Sequence, residues 1–92
     1  MTIKEAINIL GLSNSDFKTD GKRYIHTIKD SDMFSHFFNL LDNDEGFEED
    51  LDAQQIDLFT NNIVFVDNDG EIECDLTADF ENDVYTLVLT EV

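Results

Sequence analysis

Apolar residues recur along this chain with two different periods, and the change of period divides it. Ile3, Ala6, Ile7 and Leu10 stand at i, i+3, i+4 and i+7, which puts them on one face of a helix. Thr2 and Glu5 have the spacing of a capping box in front of that helix, and Gly11 is placed to end it. The same spacing returns at Phe34, Phe37, Phe38 and Leu41, with Met33 and Leu40 widening the stripe. A second helix, capped by Ser31 or Asp32, is therefore predicted at the centre of the core. Between the two, Ser13 to Asp16 reads as a loop or another cap, Asp20-Gly21 as a turn, and Arg23 to Ile28 alternates as a short strand does.

Period two governs the last third. Ile63-Val64-Phe65-Val66 predicts a buried strand and Asp67-Asn68-Asp69-Gly70 a hairpin turn. From Glu71 to Thr77 the alternation is strict, with Ile72, Cys74 and Leu76 on one face and Glu71, Glu73 and Asp75 on the other. Ala78 to Asp83 predicts an acidic loop with Phe80 available to anchor it, and Val84 to Val92 a final strand. Residues 47 to 54 predict a short acidic helix, which Gln55 to Thr60 either prolong or leave to begin a strand; periodicity leaves both open.

The pattern as a whole predicts an α+β fold, two or three helices packed on a three-stranded antiparallel β-meander. No proline, repeat or low-complexity tract interrupts it, so residues 1–92 read as one domain: a helical, weakly basic region over residues 1–41, an acidic connection over 42–60 and a meander over 61–92. A chain of 92 residues buries only roughly 60% of its unfolded surface, which argues against a multi-site enzyme with a deep pocket. Its 41% hydrophobic content and eight phenylalanines supply a core and argue against a disordered acidic tail.

Charge changes the picture more than composition does. The chain has 22 acids against five bases, a formal net charge of −17. All five bases, Lys4, Lys18, Lys22, Arg23 and Lys29, precede residue 30, where they meet three acids, Glu5, Asp16 and Asp20. The remaining 63 residues carry 19 acids and no Lys or Arg. Such a segment cannot neutralise itself, so its field reaches solvent and draws cations or a basic surface. It also repels DNA, RNA and anionic membranes. Cys74 is the single cysteine, which excludes an internal disulfide and reads as a small buried hydrophobe. With no signal peptide, transmembrane run or lipidation motif, a cytoplasmic location is expected.

Candidate chemistry narrows by elimination. His26, His36 and Cys74 have neither metal-ligand spacing nor a nucleophile-and-base arrangement, so no catalytic residue, metal or cofactor is expected and the chain is not read as an enzyme. Asp42-Asn43-Asp44-Glu45-Gly46 and Asp67-Asn68-Asp69-Gly70 begin like calcium loops. Their glycines come at the fifth and fourth places instead of the sixth, and Ala53 and Ala78 stand where the twelfth-place Glu is needed. The partner-contact candidates are therefore the acidic clusters themselves: Asp42, Asp44, Glu45, Glu48, Glu49, Asp50 and Asp52 in the connection, and Asp67, Asp69, Glu71, Glu73 and Asp75 in the meander. Glu71, Glu73 and Asp75 would stand roughly 6.7 Å apart along a strand, one carboxylate for every two phosphate steps of about 3.4 Å along a DNA strand. Phe47, Leu51 and Phe80 lie among the acids, more as core than as contacts.

The residues Thr2 to Ser13, T-I-K-E-A-I-N-I-L-G-L-S, resemble the opening of the winged helix-turn-helix of excisionase and MerR-type DNA-binding domains. Gly21-Lys22-Arg23-Tyr24-Ile25 resembles the wing, and Ser31-Asp32 the start of the following helix. Only Asn14 to Asp20 separate turn from wing, too few for a recognition helix. At the level of class, the size, acidity and lack of a catalytic constellation resemble small phage-encoded inhibitors: anti-CRISPR and anti-restriction proteins and inhibitors of uracil-DNA glycosylase. That resemblance implies a DNA mimic competing for a basic groove of a nucleic-acid-binding protein, such as a CRISPR effector or restriction nuclease, inside a bacterial host. The alternatives are a small winged-helix-like DNA-binding regulator using Lys18, Lys22 and Arg23, and an acidic protein-interaction module without DNA mimicry.

Overall fold

The computed structural model describes residues 1–50 and 62–92. Helix α1 spans Ile3–Ile9; Thr2 caps it by accepting the Glu5 N–H at 3.2 Å, and the Thr2 hydroxyl in turn lies 3.3 Å from the Glu5 carboxylate. Its end is a Schellman turn. Gly11, at φ +70°, donates its N–H to Asn8, and Leu12 donates to Ile7, so two carbonyls that the helix leaves open are satisfied. A single 3-10 turn, Asn14–Asp16, follows.

Strands β1 (Lys18–Asp20) and β2 (Arg23–Ile28) form a hairpin closed by Gly21-Lys22. Gly21 has φ +61°, as the first central residue of a two-residue hairpin turn of this kind demands. Helix α2 spans Ser31–Asn43. Asp30 caps it, accepting the Met33 N–H at 2.9 Å, one residue before Ser31 and two before Asp32, the caps expected. Four further strands follow among the described residues: β3 (Phe47–Asp50), β4 (Asn62–Asp67), β5 (Ile72–Asp79) and β6 (Val84–Glu91).

These strands form one six-stranded sheet in the order β1-β2-β6-β5-β4-β3, every neighbouring pair antiparallel. The expected three-stranded meander, β4-β5-β6, is its centre and not the whole, so the predicted fold is corrected to two helices on a mainly β scaffold. Two additions account for the difference. Tyr24, His26 and Ile28 of β2 stand opposite Leu89, Leu87 and Tyr85 of β6, so the N-terminal hairpin extends the sheet on one side. On the other, residues 47–50, expected to begin a helix, pair with β4 as β3. The Phe47 N–H bonds to the Asp44 carbonyl and the Asn68 N–H to the Gly46 carbonyl, which turns the chain sharply after α2 and buries Phe47. The expectations for residues 51–60 lie outside the described residues.

Both helices cover the same face of the sheet. Ile3, Ala6, Ile7 and Leu10 of α1 and Phe34, Phe37 and Leu41 of α2 join Ile28, Phe65, Ile72, Cys74, Leu76, Ala78, Tyr85, Leu87 and Leu89 in one core. Ring contacts weld α2 to the strands: Phe38 to Phe65 at 5.5 Å, Phe34 to Tyr85 at 6.0 Å and Phe37 to His26 at 5.8 Å between centroids. Burial of each of Phe34, Phe37 and Phe65 contributes about 1.5–3 kcal/mol. Phe80, in the turn between β5 and β6, packs on Phe34 and Tyr85 and so anchors that loop.

Candidate functional site

Alternation along the strands leaves a second face that neither helix covers, and register decides what stands there. One row across it reads Asp20, Arg23, Thr90, Glu73, Val66 and Glu48; the next reads Lys18, Ile25, Val88, Asp75, Val64 and Asp50. Carboxylates thus fall on β5 and again on β3, with valines of β4 between them and the two bases at the far edge. Strands lie about 4.8 Å apart and alternate residues roughly 6.7 Å apart, so Glu48, Asp50, Glu73 and Asp75 mark out a lattice of roughly 7 by 10 Å. Arg23 does not cross to it, pairing instead with Asp20 at 3.2 Å on its own edge.

Asp75 is half-buried, and that burial, with the neighbouring Glu73 charge, raises its pKa above the ordinary carboxylate value. Val64 beside it is buried at 9% exposure, whereas Val66 is half-buried. A shallow depression of about 280 Å³ is lined by Glu48, Glu49, Asp50 and Val66.

The cluster that is continuous in sequence from Asp42 to Asp52 is divided in space. Asp42 is exposed on α2, and Asp44 turns its carboxylate back to accept the Gly46 N–H at 2.7 Å. Glu45 is exposed in the turn, where its carbonyl accepts from the Asn68 side chain. Glu48 and Asp50 point to the uncovered face; Glu49 stands on the helix side, where burial and then the charge of Asp42 raise its pKa. Asp52 lies outside the described residues.

The β4-β5 turn has acquired a cation of its own. Asp67 is almost wholly buried, 3% exposed, and pairs with the Met1 ammonium at 3.2 Å; Glu71 accepts from that ammonium at 2.8 Å and Asp69 stands 3.7 Å away. Asp67 thus pairs inside the fold with the start of the chain. Glu71, expected in one row with Glu73 and Asp75, is turned from it toward Met1. Sequence reasoning missed the amino terminus as a participant, because nothing local marks that the β4-β5 turn folds beside the start of α1.

Further sites of charge lie at the opposite end. Asp79 accepts from the backbone and side chain of Asn82, and the side-chain bond does most to hold its pKa below the ordinary value. Cys74 is fully buried, and burial pushes its thiol well above the ordinary range, so in the folded chain it is a packing residue. Among the described residues no three His, Cys, Asp or Glu side chains are placed to hold a metal ion, and no helix is long and apolar enough to cross a membrane. The segment resembling a winged helix-turn-helix carries one 3-10 turn between α1 and β1, and its wing-like hairpin is part of the six-stranded sheet.

No family model, curated protein or solved structure matches the chain.

Proposed function

We propose that this chain is a stoichiometric inhibitor that occupies a basic nucleic-acid-binding groove of a DNA-handling protein, such as a CRISPR effector or a restriction nuclease. The observation that carries the reading is the register of Glu48, Glu73 and Asp75 on the sheet face without helices. A rigid antiparallel sheet holds these charges at fixed spacing, so the entropy of arranging them against Arg and Lys of a partner is already spent in folding. Burial, and then the Glu73 charge, disfavour the ionised form of Asp75, and a basic partner would offset both. Asp42 and Glu45, both exposed, add to the negative field that would steer encounter. Phosphate contacts position nucleic acid without reading sequence, so carboxylates alone suffice to imitate them.

The test is displacement of DNA from a panel of such nucleases in a gel-shift assay. The wild-type chain should release DNA from its target, and rising salt should weaken it. Reversing Glu48, Glu73 and Asp75 to Lys should weaken inhibition by at least about tenfold for each carboxylate that the partner's bases engage, given roughly 1.5–3 kcal/mol for a hydrogen bond to a charged group. Undiminished inhibition by the folded triple variant would exclude this face. Retardation of DNA by the chain alone would instead favour the regulator that uses Lys18, Lys22 and Arg23.

A further inference from the structure

Among the described residues β1 is the outermost strand on its side of the sheet, and Lys18, Thr19 and Asp20 are all exposed. Lys18 stands opposite Ile25, Thr19 opposite Tyr24 and Asp20 opposite Arg23. The residues that flank a two-residue hairpin loop bond to each other across the turn, and from there bonded and non-bonded pairs alternate along the strands. Lys18 and Asp20 therefore direct their N–H and C=O groups to β2, whereas Thr19 directs both of its own to solvent. Neither group of Thr19 is taken up by a turn, loop or cap bond among the described residues, while Phe17, just before the strand, has its N–H committed to the Asn14 carbonyl at 3.2 Å. The open backbone pair of this margin is thus centred on Thr19.

Charge is arranged about the same centre. Lys18 and Asp20 flank Thr19 on one face of the sheet with opposite sign. A second β1, antiparallel and related by a two-fold axis through Thr19, sets Thr19 against Thr19 in a hydrogen-bonded pair. Lys18 of each copy then meets Asp20 of the other at the non-bonded positions, where side chains come closer. Lys18 belongs to no ion pair among the described residues, and Arg23 engages only Oδ2 of Asp20, so a carboxylate with capacity for further donors faces an uncommitted ammonium. Opposite Glu48, Glu49 or Asp50 of another copy's β3, Asp20 would instead meet like charge. All five bases precede residue 30, so this margin is also where two chains of net charge −17 repel each other least. We propose that the β1 margin is a self-association site, at which two copies pair β1 to β1 and continue one antiparallel sheet. The two-fold axis stands normal to the sheet, so the helices of both copies share one side and pairing closes after two. Glu48, Glu73 and Asp75 take no part, and the pairing stands or falls independently of the inhibitor reading.

Backbone bonds at one residue and exposed ion pairs make a weak contact, which is read at high concentration. Sedimentation of the full chain in about 0.15 M salt, where repulsion between the copies is screened beyond about 8 Å, should move from monomer towards dimer between about 0.01 and 1 mM. Over the same range the amide signals of Lys18, Thr19 and Asp20 should shift in the ¹⁵N spectrum. Lys18→Asp and Asp20→Lys each set like charges face to face at both symmetric positions and should weaken dimerisation by about tenfold. Exchanging the two together, Lys18→Asp with Asp20→Lys, restores opposite charges and should return dimerisation towards the wild-type level. Amide spectra report the fold of each variant, and the dilution series needs none. A chain that stays monomeric at about 1 mM, a dimer that leaves the Thr19 amide unmoved, or a folded double variant as weak as the single ones would overturn the proposal.

Discussion

Replacing Glu71 by Gln should release a proton that the folded chain holds on its own amino terminus. The hydrogen bond to Glu71 does most to raise the Met1 ammonium, with Asp67 adding to it against the opposing effect of burial, and together they lift its pKa from the ordinary 8.0 to about 10. At pH 9 an amine of pKa 8 is about one-tenth protonated and one of pKa 10 about nine-tenths, so the two states are easily told apart. The pKa is raised on folding. Its contribution to stability is therefore complete below pH 8 and is lost as the pH climbs through 10. The chain labelled with ¹³C-methionine offers two signals: the Met1 α-carbon should titrate near 10 in the wild type and closer to 8 in Glu71→Gln, with Met33 as the internal reference. Thermal unfolding of an Nα-acetylated chain should lack the decline due to this amine between pH 8 and 10. A wild-type midpoint near 8, or one unmoved by Glu71→Gln, would refute the placement of the ammonium among these carboxylates.

Asp75→Asn should raise the melting temperature at pH 7, because the folded chain raises this carboxyl by burial and by the Glu73 charge. That gain should disappear at a pH below the ordinary carboxylate value, where both states carry the proton; a variant no more stable than wild type at pH 7 would count against the burial and neighbouring charge described for Asp75. Gly11→Ala should destabilise the chain by about 1–2 kcal/mol, the cost of a left-handed residue with a Cβ, since φ is +70° and nothing within 4 Å would clash with the added carbon. Urea unfolding measures it, and an unchanged stability would mean that the Schellman turn at the end of α1 relaxes freely.

Local features of the fold were legible, and distant pairings were not. Thr2, Gly11 and the stripes at Ile3–Leu10 and Phe34–Leu41 speak through neighbours within a turn, so α1 and α2 could be read with only the α2 cap displaced by one residue. The hairpin at Asp67–Gly70 and the alternation through Ile72, Cys74 and Leu76 are local in the same sense. Nothing local tells Tyr24, His26 and Ile28 that Leu89, Leu87 and Tyr85 will be their neighbours, and the four residues Phe47–Asp50 are too few for a period to emerge. The candidate surface suffered for the same reason. Glu48, Glu49 and Asp50 are adjacent in sequence, yet the strand sends Glu49 to the helix side and the other two to the uncovered face. Glu73 and Asp75 faced as their alternation predicted, whereas Asp67 and Glu71 answer to the Met1 ammonium.

The outermost strands described, β1 and β3, are only three and four residues long. A rim of unpaired N–H and C=O groups invites another chain to add a strand, and natural sheets discourage this by shortening and charging their margins. Here β3 carries Glu48, Glu49 and Asp50 in succession, so a second copy approaching it meets like charge before any backbone bond can form. Pairing of β3 with the β3 of a second copy is thereby disfavoured.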